Sequence, residues 1–114
     1  MIQVCIEYNE KNLVISVSIE GHAEFAEKGN DIVCSSVSTL VQSLIIGIEE
    51  VLGYSGFMQY PETTAKNIMP VVVVNNPDPV NQKVNILFET FRISLSRIAV
   101  GYPQNVKLME VYVK

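Results

Sequence analysis

The chain has 114 residues, 48% of them apolar, and carries eight Lys and Arg against twelve Asp and Glu, for a formal net charge of −4. That length suits one domain spanning 1–114, able to bury roughly two thirds of the surface its unfolded form exposes without a metal or disulfide to hold it. The dispersed basic residues argue against a surface that tracks nucleic-acid phosphates. Unbroken apolar runs of only about four residues predict no membrane span. The start Met1-Ile2-Gln3 lacks the grammar of a signal peptide, so the cytoplasm is the expected compartment. Two cysteines and one histidine are too few for a closed four-ligand zinc site, and neither a metal nor a cofactor is expected.

Ile2, Val4, Ile6 and Tyr8 alternate with Gln3, Cys5 and Glu7, the period of a strand with one buried face. After a turn at Asn9-Glu10-Lys11-Asn12, Leu13, Ile15, Val17 and Ile19 repeat the alternation, so the first twenty residues predict a hairpin. From Ala23 to Asn30 large apolar residues are scarce and Gly29-Asn30 closes the stretch, which reads as an exposed, mobile loop. Asp31 then offers a helix N-cap, and Val33, Val37, Leu40, Val41, Leu44, Ile48 and Val51 recur at helical spacing, with Ser35, Ser36, Thr39, Gln42 and Ser43 on the other side. Gly53 suits the residue after the helix end.

Two further strands are expected near Phe57–Thr64 and at Val71–Val74. Asp78-Pro79 predicts the cap and first position of a second helix, in which Val80, Val84, Leu87, Phe88, Phe91, Leu95 and Ile98 recur every three or four residues. Gly101 and Pro103 end it, and a last strand is expected over about Val106–Val113. The order ββαββαβ predicts a two-layer α+β domain, with both helices on one face of a mixed or antiparallel sheet of about five strands.

The chain's one histidine, His22, follows a strand end, and Cys34 falls in the first turn of the first helix if Asp31 is its cap. A helix N-terminus and a nearby imidazole are two ways of stabilising a thiolate, the form in which cysteine is a nucleophile. The residues therefore admit a dyad in which Cys34 attacks a carbonyl while His22 takes the thiol proton and returns it to a leaving amine. Asp31 either orients His22 or only caps the helix, and its carboxylate opposes a thiolate unless engaged in capping. The helix start could also supply an oxyanion hole. Ser35 and Ser36 are small enough to admit a peptide, and Ser38, one turn after Cys34 on the same side, could donate a hydrogen bond to the sulfur or to substrate.

On the residues alone, plainer readings stand beside these. Cys34 lies in the apolar arc with Val41, Ile45 and Leu52 and can be a packed core thiol. His22 can be an ordinary turn residue, Asp31 a helix cap alone, and Ser38 a hydroxyl bonded to its own backbone. Cys5, mid-strand and opposite Val4 and Ile6 in facing, reads as unreactive.

The run Gly21-His22-Ala23 through Gly29-Asn30-Asp31-Ile32-Val33-Cys34-Ser35-Ser36-Val37-Ser38 closely resembles the signature of the ribosomal-processing cysteine protease family called Prp. The likeness is sharpest over residues 21 to 38, and chain length, the ββα start, the second helix and Gly101-Tyr102-Pro103 also agree with it. It implies an endopeptidase that removes an N-terminal extension from a large-subunit ribosomal protein. His22 and Cys34 occupy the family's catalytic positions, Asp31 and Ser38 match supporting ones, and Gly21 and Gly29 bound the substrate loop. It also implies a homodimer with a mobile loop between histidine and cysteine, and a cleavage site that follows an aromatic-rich hydrophobic stretch. Ser35-Ser36 stands where the family more often has two alanines, with small size kept. The contrasting expectations are a non-catalytic module that grips a basic ribosomal tail, and a structural dimer subunit with Cys34 in its core.

Overall fold

The computed structural model describes residues 1–21, 32–60 and 71–113. Its strands are β1 (Ile2–Tyr8), β2 (Val14–Glu20), β3 (Met58–Gln59), β4 (Val71–Asn75) and β5 (Val106–Tyr112). Its helices are α1 (Ile32–Ile46), continued by a π-helical turn at Gly47–Val51, and α2 (Gln82–Gly101). The five strands form one mixed sheet in the order β3-β4-β2-β1-β5, antiparallel throughout except for the parallel pair β1 and β5. The expected α+β arrangement is therefore the observed one.

The alternation in β1 sends Ile2, Val4, Ile6 and Tyr8 into the core, where they meet Val33, Val37, Val41 and Leu44 of α1 and Val84, Phe88, Phe91 and Leu95 of α2. Burying one large apolar side chain is worth about 1.5–3 kcal/mol, so this single cluster holds the two layers together. On the opposite face of β1, Gln3 is exposed and Cys5 and Glu7 are half-buried.

The hairpin between β1 and β2 closes where expected. Asn9 Oδ1 accepts from the Lys11 and Leu13 N–H groups at 2.9 and 3.0 Å, and Asn12 takes a left-handed φ of 62°. Its register departs from a plain alternation. A bulge sets Glu7 opposite Ser16 but Tyr8 opposite Val14, and the extra residue Ile15 is left without a counterpart. Val14 is thereby buried, whereas Leu13 and Ile15, expected on the core side, are only half-buried.

Three other expectations are corrected. The second helix is capped by Asn81, whose Oδ1 accepts from the Lys83 N–H at 2.9 Å, and not by Asp78. Asp78 is engaged elsewhere, accepting from the Tyr54 hydroxyl at 2.8 Å and closing a turn to the Asn81 N–H at 3.0 Å; Val80 is left 86% exposed. Val51 is likewise not a core residue but 75% exposed, because the wider π turn rotates it outward. Gly53, with a φ of 80°, follows the Leu52 cap as anticipated. Of the third expected strand, β3 covers Met58–Gln59, and the part over residues 61–64 lies outside the described residues.

Ile32–Val51, 20 residues containing a window of mean hydropathy 1.6, is long and apolar enough by length and composition to cross a membrane. Short apolar runs hid this, because four serines, Thr39 and Gln42 punctuate the helix. In the folded chain its Val33, Val37, Val41, Leu44 and Ile48 are core residues.

Candidate active site

Gly21 follows β2 in a conformation that requires glycine. Its φ is 99°, and a Cβ placed there would sit 2.1 Å from the Met1 carbonyl oxygen, far inside van der Waals contact. The chain can leave the sheet past the start of β1 only because no side chain intervenes. His22, Gly29 and Asp31 come next in the expected site and lie outside the described residues, as does the loop between them.

The chain re-enters the described structure at Ile32, and Cys34 occupies the first turn of α1. The thiol is half-buried and packs on the edge of the core, yet it also lines a cleft of about 620 Å³ between α1 and the sheet. It is not sealed among the core side chains. Ile2, Ile19, Met58 and Val72 supply the sheet side of the cleft, so four strands contribute to an apolar floor. Val37, Val41 and Ile45 continue that surface along α1.

The polar side of the cleft is a row of α1 residues, Ser35, Ser38, Thr39 and Gln42, all exposed. Tyr60, 70% exposed, stands beside the Met58 end. Cys34, Ser38 and Gln42 follow one another at intervals of four, one above the next along the helix. Gln42 Nε2 donates to Ser38 Oγ at 3.2 Å. Ser36, by contrast, turns its hydroxyl back to the Ile32 carbonyl at 2.7 Å. The reading of Ser38 as a hydroxyl bonded to its own backbone is thus not what is found.

Gln42, Met58 and Tyr60 are cleft residues that periodicity did not single out. Gln42 carried a usable signal, the four-residue step from Ser38. Met58 and Tyr60 had none, because their nearness to Cys34 comes from the sheet order. The second thiol, Cys5, is on the sheet face away from the cleft; burial, reinforced by the Glu7 carboxylate, raises its pKa and keeps it in the thiol form.

The family model for the cysteine protease Prp matches residues 1–107. The chain belongs to this family. A Prp from Bacillus subtilis, a ribosomal processing cysteine protease, is 27% identical over 108 residues, covering 95% of this chain and 96% of its own length. The Mycoplasma genitalium Prp of the same description is 30% identical over 91 residues, 80% of this chain and 83% of its own. The crystal structure of the essential ribosomal processing protease Prp from Staphylococcus aureus, with a covalently linked product peptide, superposes with a TM-score of 0.84 at 25% identity. It covers 96% of this chain and 99% of that one. The protein is a cysteine protease, built on the Prp fold over essentially its full described length.

Proposed function

We propose that this protein is the endopeptidase that removes the N-terminal extension of a large-subunit ribosomal protein, with Cys34 as nucleophile and His22 as general base. The observation that carries the reading is that Cys34 lines a cleft large enough for several peptide residues. The relatives add the substrate class, since those from B. subtilis and M. genitalium are ribosomal processing proteases. The S. aureus relative holds a product peptide covalently, which suits a cysteine in that role.

In this reading Cys34 Sγ attacks the scissile carbonyl carbon as His22 accepts the thiol proton, and the positive end of the α1 dipole favours the resulting oxyanion. His22 returns the proton to the departing amine and leaves an acyl thioester. Water then attacks the thioester, His22 takes its proton, and the thiol is restored as the carboxylate product leaves. Each turnover consumes one water and returns the thiol and imidazole to their starting forms. Asp31 caps α1 or orients His22, Gly21 and Gly29 bound the loop that meets substrate, and Ser38 contacts the bound chain.

The apolar floor of Ile2, Ile19, Met58 and Val72 fits a substrate with an aromatic-rich hydrophobic stretch before its cleavage site. The enzyme acts in the cytoplasm as a homodimer, with no role for nucleic acid or membrane. Incubation with the extended ribosomal precursor tests the reading. The unmutated chain is expected to trim it, and Cys34→Ala to bind it without cleaving. Binding with no cleavage by the unmutated chain would instead establish a non-catalytic module that grips a basic tail.

A further inference from the structure

A serine on a helix ordinarily satisfies its hydroxyl by donating to a carbonyl one turn back. Ser36 does so to Ile32, Thr90 to Ile86 at 2.8 Å, and Ser96 to Ile93 at 2.7 Å. Ser38 is different: among the described residues its oxygen accepts from Gln42 and its proton goes to no acceptor. An amide N–H fills one lone pair of the hydroxyl and narrows its rotation, since the proton must then take one of the two orientations that point away from Gln42. Helical side chains lean towards the N-terminus, so Ser38 leans over the Cys34 turn, along the wall of the cleft.

We infer that Gln42 is a positioning residue of this site: by donating to Ser38 Oγ it holds the Ser38 hydroxyl as a hydrogen-bond donor into the cleft, where it meets a carbonyl oxygen of the bound peptide. The inference rests on the proposed peptidase reading of the cleft and adds a residue to it. Its chemistry is directional. A group at position 42 that can only accept would take the Ser38 proton for itself, and an apolar group would release the hydroxyl to the Cys34 carbonyl in the manner of Ser36. Either change removes the donor that substrate meets. Because Ser38 and Gln42 are both exposed, neither change should disturb folding.

The test measures the affinity of Cys34→Ala protein for the extended ribosomal precursor, with Gln42→Glu or Gln42→Leu added, each with Ser38 present and with Ser38→Ala. Both Gln42 substitutions are expected to weaken binding roughly five-fold, the loss of one neutral hydrogen bond. In the Ser38→Ala series they should cause no further loss, and the unfolding midpoint should not move. With Cys34 restored, KM for cleavage should rise by the same factor while kcat holds. Full affinity in Gln42→Glu would overturn the inference, as it would mean that Ser38 donates to position 42. Equal losses with and without Ser38 would also overturn it, since Gln42 would then act on substrate directly. Precursor that binds but is never cut sinks the peptidase reading, while the affinity series still decides the part played by Gln42.

Discussion

The α-carbon of Gly21 and the carbonyl oxygen of Met1 stand so close that a methyl group on Gly21 would be centred 2.1 Å from that oxygen. The residue after β2 is thereby set tightly against Met1 and Ile2, where β1 begins, directly ahead of His22 in sequence. Gly21→Ala must either push the start of β1 aside or abandon the positive φ, and we expect a loss of about 2–4 kcal/mol with a large fall in cleavage. Gly53→Ala is the control, because Gly53 shares the left-handed backbone but a Cβ there meets nothing within 4 Å. It should cost only about 1 kcal/mol and leave cleavage unchanged. Urea unfolding and precursor trimming of the two variants check the contrast.

Filling the cleft should separate binding from folding. Thr39 is exposed on α1 and lines the cleft beside the apolar floor. Thr39→Trp adds bulk where a peptide would lie, so KM should rise at least about ten-fold, and thermal unfolding should shift by less than about 0.5 kcal/mol, as befits a surface change. A fully active Thr39→Trp enzyme would place the substrate elsewhere.

The two thiols should behave differently. Cys5 has a pKa raised first by burial and then by the Glu7 carboxylate, so little of it is thiolate at neutral pH. Cys5→Ser should trim the precursor at the unmutated rate. Peptide mapping after brief iodoacetamide treatment of the native protein should find Cys5 largely unmodified, and unfolding in urea should expose it to reaction.

Alkali should destabilise the fold through Tyr8. Its ring stacks on Tyr112 with centroids 4.8 Å apart, and its buried hydroxyl has no hydrogen-bond partner among the described residues. Burial first, and then the Glu110 carboxylate nearby but outside bonding geometry, push the phenol well above its ordinary pKa of 10.0, against a smaller opposing pull from Arg92. Above that ordinary value the unfolded chain has released the proton that the folded chain still holds. Stability is therefore complete below about pH 10 and falls as pH rises further. Urea midpoints across that range should drop for the unmutated protein and drop less for Tyr8→Phe, which has no phenol to ionise.

Much of this architecture was legible in the chain because burial on one face imposes a period. The alternation of β1 and the three-and-four spacing of Val84, Phe88, Phe91 and Leu95 each specify an element and its inner side. What escaped were local events that a period does not carry. The bulge at Glu7 and Tyr8 moved Val14 inward, the π turn moved Val51 outward, and Asp78 gave up capping for Tyr54. At the site, the four-residue step from Cys34 to Ser38 placed both on one wall, and the same step reaches Gln42. The floor was illegible for a different reason. Ile2 and Ile19 come from β1 and β2, Met58 and Val72 from β3 and β4, and only the pairing of β4 with β2 brings the two halves of the floor together.

That order has a consequence in time. β1 is flanked by β2, its immediate successor, and by β5, the final strand, and the Ile2 N–H is tied to the Asn105 carbonyl at 2.8 Å. Ile2 also forms part of the groove that faces Cys34. On a ribosome still making this chain, the Ile2 corner of the groove therefore waits for its outer support until the much later β5 segment has been released to dock.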